Sequence, residues 1–270
     1  MLIAHITDTH ITSPGTLLMG IVDTASALER AVATLNRLDP SPDAIVLTGD
    51  LVESGAPEEY AHLRGLLAPL RMPIFAIPGN HDAREPMRKA FIGDGYLPQQ
   101  GFLAYAIEDY PLRIIGLDTL VPGEGGGALC SERLRWLDHI LSAAEDRPTL
   151  VLMHHPPFLT GIRRMDQSGL ADSASFAEVI RHHRQIERIL CGHLHRPIES
   201  RFAGTVAGTA PSTAHQIVLD LRPEARLSFA FEPPGYQLHY WREGIGLVTH
   251  TAAIGDWPGP YFYTKKPATD

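Results

Sequence analysis

The sequence predicts an α/β fold with short buried strands that are at least partly parallel. Short apolar, β-branched runs recur along the chain, and segments of helical period separate them. The first run is Leu2 to Thr7. Leu28, Ala31, Val32, Leu35 and Leu38 then repeat as one face of an amphipathic helix, which Asp23 or Thr24 can cap. Ala44 to Thr48 is the second run. A helix begins near Pro57, a good first-turn residue, with Tyr60, Leu63, Leu66 and Leu67 on one side. The runs at Ile74 to Ile77 and Arg113 to Leu117 come next, followed by a helix after Ser131 that carries Leu134, Leu137, Ile140 and Leu141. Thr149 to Met153, a helix over roughly Phe176 to His183, and Arg188 to Cys191 complete the alternation.

After about residue 197 the pattern changes. Leu227 to Phe231, Gln237 to Trp241 and Leu247 to Thr251 look like short strands divided by Pro-Pro-Gly and Gly turns, among clustered aromatics. The expected organisation is a catalytic domain over residues 1–220 and a small β-rich cap or oligomerisation segment over 221–270. A third edge of the same core is the other reading of that stretch.

Of the 270 residues, 44% are apolar and 20% charged, an ordinary balance for a globular protein. Acidic residues outnumber basic ones by 31 to 23, for a net charge of -8. Nucleic acids and anionic membranes are held mainly by Lys and Arg, so neither is expected as a partner. Two cysteines, Cys130 and Cys191, are too few for a disulfide framework or a thiolate metal site. The opening MLIAHITDTH does not look like a secretory signal, and no apolar run reaches the roughly 18 residues that span a bilayer. The cytoplasm is the expected compartment, and the aromatic C-terminal segment suggests a homo-oligomer, a dimer or larger.

The chemistry stands at the ends of the runs. They lead into Asp8-Thr9-His10, Gly49-Asp50, Gly79-Asn80-His81-Asp82, His154-His155-Pro156 and Gly192-His193-Leu194-His195. Ligands bind α/β sheets at the carboxyl ends of their strands. Side chains two apart, as in Asp8/His10 and His193/His195, project to one side of an extended segment and can reach one centre. Oxygen and imidazole donors without thiolates suit a first-row metal ion. Two carboxylates, an amide and four or more imidazoles exceed what one ion needs, so two ions about 3.5–4 Å apart, sharing a carboxylate, are expected.

In that order, D-x-H, G-D, G-N-H-D, H-H-P and G-H-x-H resemble the calcineurin-like metallophosphoesterases. MLIAHITDTH, PEEY, IPGNHD, MHHPP, AHQ at 214–216 and GPYFY extend the likeness over nearly the whole chain, to the class III cyclic-nucleotide phosphodiesterases and, within them, to the bacterial glycerophosphodiesterases. The resemblance implies an α/β/β/α sandwich of two mixed sheets flanked by helices. It implies a first ion held by Asp8, His10, Asp50 and His195, and a second held by Asp50, Asn80, His154 and His193, with Asp50 bridging. His81 and His215 would face the substrate phosphate. His155 would be structural or support a ligand, Asp82 would orient its loop, and His5 would belong to the core or to the surroundings of the ligands. Manganese, iron, cobalt and zinc all tolerate the donor set, with manganese or iron favoured.

The implied reaction is hydrolysis of a small phosphodiester, 3′,5′-cyclic AMP or a glycerophosphodiester, by hydroxide generated on the ions. Phosphoprotein phosphatases of the family carry G-D-x-V-D-R-G, whereas this chain has Gly49-Asp50-Leu51-Val52-Glu53-Ser54-Gly55. Without that arginine a diester monoanion fits better than a monoester dianion, although Arg163 or Arg164 could supply charge from the loop after His-His-Pro. A phosphomonoesterase or nucleotidase is the alternative, and an inactive metal-binding module a further one. Substrate is expected to meet loops 11–22, 121–130 and 160–172 and the C-terminal cap.

Overall fold

A computed structural model describes residues 1–263. Its layering follows from strands that are buried on both faces. In β1 (Leu2–Ile6), Ile3 joins one apolar cluster while Ala4 and Ile6 join another. β2 (Ala44–Thr48) repeats the alternation, with Val46 facing one way and Ile45 and Leu47 the other. Such strands need a covering layer on each side.

With β3 (Ile74–Ile77), β14 (Gly235–Arg242) and β15 (Gly246–Ala253) they form a five-stranded sheet in the order β15-β14-β1-β2-β3. β1, β2 and β3 run parallel and β14 runs antiparallel to β1. The second sheet holds β4 (Tyr105–Ile107), β5 (Arg113–Gly116), β7 (Thr149–Leu152), β9 (Ile186–Cys191), β10 (Ile198–Phe202) and β11 (Thr205–Thr209), in the order β10-β11-β9-β7-β5-β4. Its inner strands are parallel and both edges antiparallel.

The sheets meet where Ile3, Val46 and Ile77 of the first pack with Ile114, Leu150 and Leu190 of the second. α1 (Thr24–Asn36), α2 (Pro57–Leu67) and α3 (Arg84–Phe91) cover the outside of the first sheet. α4 (Ser131–Ser142) and α6 (Ser173–Arg181) cover the second, and α5 (Arg163–Asp166) is a single turn between them in sequence. The expected α/β/β/α sandwich is the observed one.

Each expected run and helix up to residue 191 is present within a few residues. Asp23 caps α1, its side chain accepting from Ser26 N at 2.9 Å. Among the strands of the two large sheets β4, β10 and β11 gave no legible pattern, and neither did helices α3 and α5. α3 carries only Met87 and Phe91 on its apolar face, and its buried Arg88 is held by the carbonyls of Pro98 and Gly101.

Two short pairs complete the chain: β6 (Gly127–Ala128) with β8 (Leu170–Ala171), and β12 (Gln216–Ile217) with β13 (Phe229–Ala230). The strand expected at Leu227 to Phe231 shrinks to β13. The β14–β15 hairpin is an edge of the first sheet, paired from Leu2↔Tyr240 to His5↔Gln237. Residues 264–270 of the expected C-terminal segment lie outside the described residues. Among the described residues no helix is long and apolar enough to cross a membrane.

Candidate metal centre

The parallel strands of both sheets deliver their carboxyl ends to one place, and the backbone there is held in an unusual conformation. Asp8, His10, Asp50, His193 and His195 have φ of 52°, 43°, 48°, 72° and 50°, in the left-handed region that side chains other than glycine avoid. Each such residue costs about 1–3 kcal/mol and persists only where its surroundings over-determine it. Here the loops brace one another. Asp8 N donates to Gly49 O at 3.1 Å, His10 N to Asp50 O at 2.9 Å, and His193 N to both Asp8 carboxylate oxygens at 3.1 Å. Gly49 has φ 90°, and a Cβ there would lie 2.5 Å from His154 Nδ1 and 2.7 Å from Gly79 N, so three loops close on a position that only glycine fits.

All seven expected ligands are gathered in this cluster, and its four imidazoles share one design. His154 Nδ1 donates to Thr48 O at 2.7 Å and His195 Nδ1 to His215 O at 3.0 Å. His10 Nδ1 donates to Glu53 Oε2 at 2.7 Å. Ser168 Oγ gives its own proton to Met165 O, so it accepts from His193 Nε2 at 3.1 Å. A carbonyl or carboxylate can only accept, so these partners fix which nitrogen carries the proton. The other nitrogens of His10, His154 and His195 face inward. His10 Nε2 and His195 Nε2 are 3.2 Å apart, with Asp8 Oδ1 at 3.5 Å and Asp50 Oδ2 at 3.6 Å. His154 Nε2 lies 3.2 Å from that same Asp50 Oδ2 and 3.1 Å from Asn80 Oδ1. Imidazole nitrogens and carboxylate oxygens crowded together form a cation site, so the donor set fits metal ions. Asp8, His10 and His195, and separately Asp8, Asp50 and His154, are close enough to share an ion.

Residues 1–197 match the calcineurin-like phosphoesterase family. The chain belongs to that family. It is 39% identical over 268 residues to a probable glycerophosphodiester phosphodiesterase, GpdQ, of Arcobacter nitrofigilis, covering 98% of both chains. It is 37% identical to a probable cyclic nucleotide phosphodiesterase of Rhodopseudomonas palustris, over 95% of this chain and 93% of that one. Among solved structures a dimetal phosphatase from Danio rerio superposes with a TM-score of 0.65 at 15% identity, over 94% of this chain and 99% of that one, a likeness of fold.

The electrostatics of this calcineurin-like site are those of charges kept from water. Burial drives His193 and His195 down to about 3, so both stay neutral. Burial also works against charge on His154, but the adjacent Asp50 carboxylate outweighs it and lifts the imidazole to about 9. Asp50 is held well below the usual carboxylate range by His154, against its own burial, while burial raises Asp8. Without a cation, a proton on His154 takes its place beside Asp50.

The remaining expected residues lie around this cluster. The His81 ring is 4.7 Å from that of His10, with Nδ1 donating to Glu53 O at 2.8 Å. The His215 ring meets that of His195 edge-on, with centroids 4.6 Å apart; it is buried and has no partner for Nδ1 among the described residues. His155 is buried, with Nδ1 2.8 Å from Thr119 Oγ1 and its ring edge-on to His154. Asp82 orients its loop, accepting from Gly79 N, Leu51 N and the Tyr60 hydroxyl at 2.8, 3.1 and 2.8 Å. His5 lies in the core, its Nε2 2.8 Å from Thr48 Oγ1.

Sequence reasoning passed over Glu53, Ser168 and the Thr48 carbonyl as supports of the imidazoles. Glu53 stood in view, three residues after Asp50, but nothing local ties it to His10, 43 positions away. A cavity of about 500 Å³ opens between residues 121–128 and 157–173, two of the loops expected to meet substrate. None of the clustered ligands lines it, although its Gly126 lies against the backbone of Ser168.

Proposed function

We propose that this protein is a metal-dependent phosphoric diester hydrolase acting on small diesters, glycerophosphodiesters or 3′,5′-cyclic AMP. Its first ion would be held by Asp8, His10, Asp50 and His195, and its second by Asp50, Asn80, His154 and His193. The observation that carries this reading is that Asp50 Oδ2 lies between His10 Nε2 and His154 Nε2, where a single carboxylate oxygen can serve both sides. When bound, the ions supply Lewis acidity toward the diester's oxygens and lower the pKa of a water toward neutrality. Manganese or iron are the ions we favour.

The chain's own groups do the rest. The supports behind each imidazole keep one ring nitrogen engaged and hold the other oriented. His81, its side chain 35% exposed, is the imidazole that meets solvent, and with Nδ1 engaged it offers Nε2 to a phosphoryl oxygen or leaving group. His215, beside His195, would exclude water from the opposite side. Glu53 stands beside Ser54, the position of the phosphatase arginine, so this wall bears a negative charge where a dianion needs a positive one. That supports a diester over a monoester, as do the names of the relatives. We also place the chain in the cytoplasm, on the strength of its two free thiols, and infer self-association, with residues 221–270 contributing.

The test is hydrolysis of bis(p-nitrophenyl) phosphate against p-nitrophenyl phosphate, with chelator and with manganese restored. Diester turnover that chelation abolishes and manganese returns is expected. Faster turnover of the monoester would favour a phosphatase, and inactivity with every metal would leave only a binding module.

A further inference from the structure

His5 and His239 are two imidazoles that the metal centre does not use as ligands, and both are fully buried. In the β1–β14 ladder His5 stands opposite Gln237 and Ile3 opposite His239, so the two rings are diagonal neighbours. They share the face on which Ile3 enters the apolar layer between the sheets. Polar groups placed there cost free energy unless each is hydrogen-bonded. One chain of hydrogen bonds satisfies them, and its direction is fixed from one end. Thr7 Oγ1 donates to the Thr48 carbonyl at 3.3 Å. With that proton spent, Thr7 Oγ1 accepts from Thr48 Oγ1 at 2.8 Å, and Thr48 Oγ1 accepts in turn from His5 Nε2 at 2.8 Å. A neutral imidazole has one N–H, so His5 Nδ1 is a lone pair, and His239 Nε2 donates to it at 3.3 Å. His239 Nδ1 accepts from Thr249 Oγ1 at 2.9 Å. Every proton in the chain is therefore given toward the same carbonyl. That carbonyl is also the one behind His154, accepting from its Nδ1 at 2.7 Å. The loops of the centre converge on this end of the chain. Thr7 precedes Asp8, Thr48 stands two residues before Asp50, and a Cβ on Gly192 would overlap Thr7 Oγ1 and lie 2.6 Å from Thr48 O.

We propose that His239 is a positioning residue of the metal centre, acting through His5 and the Thr48 and Thr7 hydroxyls on the carbonyl behind His154. Its Nε2 proton decides the tautomer of His5. Without that donor the His5 proton moves to Nδ1, and the Thr48 hydroxyl turns to His5 Nε2. Thr7 then turns its own proton to Thr48 Oγ1 and leaves the carbonyl, so the oxygen that orients His154 loses one of its two holds. The C-terminal hairpin lies beyond the residues that match the family, yet it supports a ligand at the far end of β2. The inference rests on the reading of His154 as a ligand.

The test compares the full-length wild type with His239→Leu, which removes the donor, and His239→Gln, whose amide can offer a proton from near the place of Nε2. Manganese affinity at each site is measured by competition with a chromophoric chelator. Nitrogen-15 signals of the His5 and His154 rings are followed in the chelator-treated proteins. The leucine variant is expected to bind one of the two ions about tenfold more weakly, the low end of what groups behind metal ligands contribute. Its His5 proton should leave Nε2, and the glutamine variant should behave as the wild type. Two ions bound as tightly as in the wild type, both weakened equally, an unchanged His5 tautomer, or glutamine as damaging as leucine overturns the proposal. Should the leucine variant fail to fold, Thr48→Val breaks the chain beside the carbonyl and Thr48→Ser restores the hydroxyl; equal manganese affinity in those two overturns it. If the wild type holds fewer than two manganese ions, the metal reading fails and the His154 signals decide. A His154 ring unmoved by His239→Leu then overturns the positioning role.

Discussion

Glu53 gives the centre a carboxylate that faces outward through a histidine. Its Oε2 fixes His10 by Nδ1, and its carbonyl fixes His81 by the same atom. Carboxylate support of this kind is worth about 10–100-fold in metal affinity or activity. Glu53→Gln should keep the hydrogen-bond geometry but lose the charge, and Glu53→Ala should lose both. We expect metal affinity to fall in that order, measured by competition with a chromophoric chelator; an alanine variant with wild-type affinity would show the contact to be incidental. Asp50→Ala should empty both sites, checked by metal analysis, and two retained ions would refute the bridging role. His154, raised to about 9 by Asp50, must surrender a proton to an incoming ion. Calorimetry in buffers of different ionisation enthalpy at pH 7 should count about one proton released as metal loads, and metal affinity should weaken as pH falls. No release would mean that His154 is not a ligand.

At the scale of elements, the centre is a meeting of strand ends whose loops leave no spare volume. Gly49 is the tightest point, with left-handed backbone and walls from His154 and Gly79. Gly49→Ala should therefore destabilise the fold by about 3 kcal/mol or more, since strain at positive φ and overpacking act together. Urea unfolding of the chelator-treated protein tests this without the ions' contribution, and an unchanged midpoint would show that the loops can yield. The glycines at 49, 79 and 192 were legible in the sequence as neighbours of the candidate ligands. What they approach was not. Contacts such as Gly49 to His154 join segments about a hundred residues apart, and no local pattern encodes them. α3 and the edge strand β10 were missed for a related reason, since their half-exposed faces carry too few apolar residues to register a period, and β11, though partly buried, is the small-residue run Thr-Val-Ala-Gly-Thr.

Across the whole molecule, the interior holds a polar thread. Thr249 Oγ1, His239 and His5 are linked at 2.9 and 3.3 Å, and His5 reaches Thr48 Oγ1 at 2.8 Å, joining the C-terminal hairpin to β2. Burial pushes His5 down to about 3, and His239 well below its ordinary value. Below pH 6.5 the unfolded chain takes up a proton that folded His5 refuses, so stability is lost as pH falls through that window. The loss from His5 amounts to about 2 kcal/mol at pH 5. His5→Leu should narrow the gap between stabilities at pH 7 and pH 5 by about that much, measured by denaturant unfolding. A gap of the same size in both proteins would mean that His5 is not kept neutral.

The alternation of apolar runs by itself determined the layered α/β architecture, because burial on two faces leaves a trace in β1, β2, β3, β5, β7 and β9. The order of Asp, Asn and His at the strand ends determined the donor set, because chemistry of that kind needs those residue types. Only the tertiary structure decided the supports behind each imidazole and the place of the C-terminal hairpin on β1. Those depend on which distant segments touch, and a linear pattern carries no record of that.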